Sequence, residues 1–122
     1  MRSIFQAVAI AGAFFLCVGA ASPPRIDYTL TPILEDGALT AVQIDLSFSG
    51  EADGESDLRL PDSWGGQNEL WRSVQALEIV SGATNLRNGE QPNQRILNNR
   101  PYARIHVRYR VIQDWDGVPR AE

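Results

Sequence analysis

From residue 103 to residue 111 apolar and basic side chains alternate without a break. Ala103, Ile105, Val107, Tyr109 and Val111 fall on one side; Arg104, His106, Arg108 and Arg110 fall on the other. A period of two predicts a strand with one buried and one wet face, as in an antiparallel sheet. A second clean run lies upstream, with Val42, Ile44, Leu46 and Phe48 against Gln43, Asp45, Ser47 and Ser49. A third begins at Ile26, where Tyr28 and Leu30 alternate with Asp27, Thr29 and Thr31. Pro32 cannot donate to a ladder, so this strand either ends there or sits at a sheet edge. Glu35-Asp36-Gly37 predicts a turn, and with it a hairpin between the first two strands.

The other elements are less sharply written. Leu58 and Leu60 flank Arg59 and predict a short strand stopped by Pro61. Residues 74–80 (VQALEIV) are apolar with an ambiguous period, and 95–97 (RIL) predict a short strand. Residues 50–57 (GEADGESD) and 85–94 read as loops, and 98–101 (NNRP) as a turn. Residues 113–122 are polar and turn-prone; Trp115, within Asp114-Trp115-Asp116-Gly117, is expected to cover the sheet end. The sum is an all-β fold: a small antiparallel β-sandwich of six to seven short strands, with no helix in the mature part.

The N-terminus has a different grammar. A basic start (Met1-Arg2-Ser3) precedes the apolar run IFQAVAIAGAFFLCV, and small residues from Gly19 to Ser22 follow. That order predicts a signal-peptide helix over residues 1–21, cleaved after Ala20 or Ala21, and one domain over residues 22–122. The apolar run is short for a membrane span of about 20 residues. Leu16 before Cys17 is too large for a lipoprotein signal. The expected mature protein is periplasmic or secreted, has no membrane anchor and contains no cysteine.

Composition narrows the function. The 122 residues hold one small domain, and a net charge of −4 argues against a nucleic-acid binder. All 11 basic residues are arginines. Acids crowd 51–62 and arginines crowd 95–110. The second cluster is either a solvated strand face or, through Arg104, Arg108 and Arg110, a basic docking surface.

Candidate chemistry is thin. His106 is the one histidine, expected to be exposed on a wet face, whereas Ser–His–Asp catalysis needs a shielded one. One His and no mature Cys argue against zinc. H-E-x-x-H and Gly-rich phosphate loops are absent. Asp53, Glu55 and Asp57 stand at alternate positions but lack the rest of a calcium loop, so a solvated acidic loop is expected. No catalytic residue, metal or cofactor is expected.

The stretch LRLPDSWGGQNELW holds Trp64 and Trp71 around a Pro and a Gly-Gly pair. Leu60, Pro61, Trp64 and Gly66 loosely match a Leu-Pro-x-Trp-x-Pro-Gly-x-Tyr segment. Ile105, Val107, Tyr109, Arg110 and Val111 match a later Val-x-Val-x-Tyr-Arg-Val strand. Over about residues 26–115 the chain resembles the N-terminal β domain of the glycyl aminopeptidases, PDZ-containing zinc metallopeptidases of the gluzincin group. It departs from them by one residue inserted between Pro61 and Trp64, by Gly65 in place of the second Pro, and by the late position of Trp71. No part of their catalytic domain, zinc ligands or PDZ domain has a counterpart in this sequence. The resemblance implies a non-catalytic module that packs on a peptidase domain, in cis or trans, with Trp64 and Trp71 anchoring the loop or touching that partner. The alternative is a free-standing exported binding module that uses the Trp loop or the face of Arg104, Arg108 and Arg110.

Overall fold

A computed structural model describes residues 25–113. The expected signal peptide over 1–21 and the expected role of Trp115 lie outside the described residues. Among the described residues seven strands form two antiparallel sheets, as alternation predicts. No helix among the described residues is long and apolar enough to cross a membrane.

The first sheet is built from the clean sequence patterns. Strands β1 (Asp27–Glu35) and β2 (Ala38–Ser49) form the expected hairpin. Its two-residue turn has positive φ at both Asp36 (50°) and Gly37 (80°), the conformation that matches strand twist in tight hairpins. Strand β7 (Arg104–Ile112) pairs with β2 from Ala41–Ile112 to Ser49–Arg104 without a slip. Strand β4 (Val74–Ser81) lies on its other side, giving the order β1-β2-β7-β4. Pro32 stays within β1 because β1 is an edge.

The ambiguous period of 74–80 has a structural cause. The β4–β7 register slips between Gln75 and Glu78 and again between Ile79 and Ser81, and Ala76 takes φ 54°. These bulges let Val74, Leu77 and Ile79 all turn to the core, which no unbroken strand would do.

The second sheet, in the order β3-β6-β5, is where the sequence misleads. Residues Glu55 to Asp57, read as loop, open strand β3 (Glu55–Arg59). Residues Asn85 to Asn88, also read as loop, belong to β5 (Ala83–Asn88), and Asn98 and Asn99 to β6 (Gln94–Asn99). In β3 the inward slot is Ser56, only 2% exposed, where alternation calls for an apolar residue. Its hydroxyl accepts the Glu51 amide at 2.8 Å and donates to Asn99 Oδ1 at 2.8 Å, which removes the cost of burying it. The short 3₁₀ turn at Leu70–Ser73 is likewise absent from the sequence reading.

Leu46, Leu97, Ile105, Val107 and Tyr109 form the core, and Ile44, Phe48, Leu58 and Leu86 pack around them. Leu97 of β6 meets Ile105 and Val107 of β7, so the central strands of both sheets face each other.

Candidate functional site

The loop between β3 and β4 is held by its own backbone. Trp64 and Gln67 exchange both N–H···O bonds at 3.0 Å, and Gly65 and Gly66 take φ 60° and 80° between them. This Gly-Gly turn has the same geometry as the β1–β2 turn, and it asks for φ values that side chains resist. Leu70 N–H donates to the Asp62 carbonyl at 2.9 Å and closes the base of the loop.

The two tryptophans have different fates. Trp71, in the 3₁₀ turn, is half-buried, with the Arg72 guanidinium 5.4 Å from its ring centroid. That stacking is a weak cation–π contact, and Arg72 also pairs with Glu69 at 3.2 Å. Trp64 is 74% exposed. It stands at the rim of a groove of about 270 Å³ walled by Pro61, Leu70, Val74, Val111 and Ile112. The loop thus holds a large ring in water beside an apolar trough.

The basic strand is largely neutralised from within. Arg104 pairs with Asp27 and also donates to the Arg25 carbonyl. Arg108 Nε donates to Asp45 Oδ1 at 2.9 Å, and His106 Nε2 lies 2.8 Å from the same oxygen. Gln43 Nε2 donates to Oδ2 at 3.3 Å. The hydrogen bond from His106, with the bonds and positive charge of Arg108, holds the Asp45 carboxyl below the usual carboxylate range. Arg110 is exposed between Gln43 and Gln75 in register and has no ion pair among the described residues. Of the three arginines on this face, two are therefore committed to internal carboxylates.

His106 is not the open surface residue that its place on the wet face suggests; its side chain is 27% exposed and tied to Asp45. The sequence does hold a signal for Asp45: it is the one acid on the polar side of β2, the strand beside the basic face. A His–Asp pair needs a nucleophile to do acyl chemistry. Ser47 and Ser81 flank His106 in register, but no hydroxyl bonds its ring among the described residues. No group of three or more His, Cys, Asp or Glu side chains there could hold a metal. The acids of 51–57 divide between a turn, where Asp53 accepts the Glu55 amide, and β3, where Glu55 and Asp57 pair with Arg87 and Arg59.

No protein-family model matches this chain, and no curated protein matches it. The resemblance to glycyl aminopeptidases therefore rests on the residues quoted for it. Of these, Leu60, Ile105, Val107 and Tyr109 are buried, Arg110 is turned to solvent, and the Trp64 ring stands exposed at the groove.

Proposed function

We propose that this chain is an exported, non-catalytic β module that docks on a peptidase domain in cis or trans. The supporting observation is Trp64, a ring 74% exposed whose backbone is held by a closed Gly-Gly turn beside an apolar groove. A solvated Trp forgoes a large burial free energy, and such anchors dominate protein interfaces. The resemblance supplies the partner class: a zinc peptidase domain with an H-E-x-x-H helix. Arg104 and Arg108 act in this reading as internal braces, leaving Trp64 as the contact.

The coding sequence after Glu122, and the neighbouring genes, are to be read for an H-E-x-x-H domain. That domain, expressed separately, is then titrated with this chain. Truncating a central interface Trp costs about 2 kcal/mol, so Trp64→Ala is expected to weaken binding about thirtyfold. Absence of such a domain, or equal binding by wild type and Trp64→Ala, overturns the proposal.

A further inference from the structure

The two sheets differ in width. β4 runs into β5 around the Gly82 corner, β7 faces β6 through Leu97, and β2 faces β3 where Leu46, Phe48 and Leu58 line one groove. That leaves β1 with no strand opposite it. Tyr28 and Leu30 stand beside Leu46 and Ile44 in register, on the core-facing side, yet they are 60% and 62% exposed.

The free edge beside that uncovered face belongs to β3. The other edge strands are blunted: β1 by Pro32 and a slip at Ile33/Leu34, β4 by two slips and β5 by one at Ala83/Asn85. β3 is short and charged, yet it pairs with β6 along all of Glu55–Arg59 without a slip, so its outer hydrogen-bonding groups stay in one regular row that can accept a further strand. Between β1 and β3 lies a groove of about 280 Å³ lined by Tyr28, Leu46, Phe48, Ser56, Asp57 and Leu58.

We infer that this groove takes an extended strand of a partner protein, which pairs with the free edge of β3 and completes the sandwich opposite β1. Alternate apolar side chains of that strand cover Tyr28 and Leu30, and its outward side chains are basic. Main-chain pairing supplies affinity in this mode, and alternate side chains supply selectivity. The charge follows from Glu51, Asp53, Glu55 and Asp57, which run along the edge and the turn before it. Arg87 and Arg59 engage Glu55 and Asp57, while Glu51 and Asp53 have no ion pair among the described residues. Residues 51–59 carry four acids against one arginine, so a second copy would bring two net-negative edges together, and the occupant comes from a different protein. The site is separate from the Trp64 groove and does not depend on the docking proposed there.

The probe is a fluorescein-labelled octapeptide of alternating valine and lysine, read by fluorescence anisotropy and by amide exchange in β3; a valine–glutamate octapeptide is the control. The valine–lysine peptide is expected to bind saturably and slow exchange at β3, with the control about tenfold weaker. Leu30→Glu removes apolar cover and weakens binding. Glu55→Lys, at an exposed position, reverses the preference between the peptides, and Trp64→Ala leaves binding unchanged. Equal binding of both peptides, no saturable binding, or loss of binding in Trp64→Ala overturns the inference. So does protection of the β3 edge before peptide is added, by dimerisation or by residues 114–122.

Discussion

Leu97 anchors the smaller sheet although little around it announces a core residue. It lies between Ile96 and a pair of asparagines, and it is wholly buried against Ile105 and Val107. Leu97→Ala should cost about 2–5 kcal/mol, and Tyr109→Ala about 3–5 kcal/mol, in a urea melt. Tyr109 also carries a pH signature. Burial pushes its phenol above its ordinary range, and nearby Tyr28 adds to the shift. Its protonated form is thus favoured in the fold, so its contribution to stability is complete below about pH 10 and is lost as pH rises through the folded value. A spectrophotometric titration should show one tyrosine ionising after the others, and Tyr109→Phe should remove that late step. At Asp45 the sign is opposite. Its carboxylate is favoured by His106 and Arg108, so its contribution is present above about pH 3.9 and disappears as pH falls through the lower folded value. The difference in melting temperature between wild type and Asp45→Asn should be full near neutrality and close in that acid window. A difference constant with pH would mean that charge plays no part.

Elements were legible where their partners are apolar and hidden where hydrogen bonds replace apolar contacts. β7 and β2 carry unbroken alternation because both lie inside the wider sheet with one side in the core. The turn at Asp36-Gly37 was equally plain, since few dipeptides accept positive φ twice. β3 was half hidden by Ser56, and β5 by the exposed Asn85 and Asn88; periodicity counts such positions as loop. The Trp loop was visible as an oddity, but which ring is free depends on a 3₁₀ turn that no local pattern marks. Asp45 was missed because it acts across strands: its importance comes from register with β7, not from its own neighbours. Ser56 gives the element-scale prediction. Ser56→Ala leaves the Glu51 amide and Asn99 without their buried partner and should cost about 1–3 kcal/mol. Ser63→Ala, on the exposed Trp loop, should stay within about 0.5 kcal/mol. Equal costs would show that the knot joining β3 to β6 contributes nothing.

Across the whole molecule stability should run down a gradient from β7 to β1. β7 is paired on both sides and holds three of the most buried side chains, Ile105, Val107 and Tyr109. β1 is an edge whose core-facing Tyr28 and Leu30 remain mostly in water, and it is tied to the body chiefly through β2. Opening β1 therefore exposes little new apolar surface, whereas opening β7 splits the wider sheet and uncovers the core shared with Leu97 of the other. Local openings need far less free energy than global unfolding when few buried contacts are lost. Amides of β1 that bond β2 should exchange by local opening, about a hundredfold or more faster than those of β7, a difference of at least about 2.7 kcal/mol. Mild urea should leave the β1 rates nearly unchanged while accelerating those of β7, since the denaturant slope follows the surface exposed on opening. Equal rates and equal urea slopes would make the sandwich one cooperative unit and would mean that β1 is covered in solution by something that supplies its missing contacts.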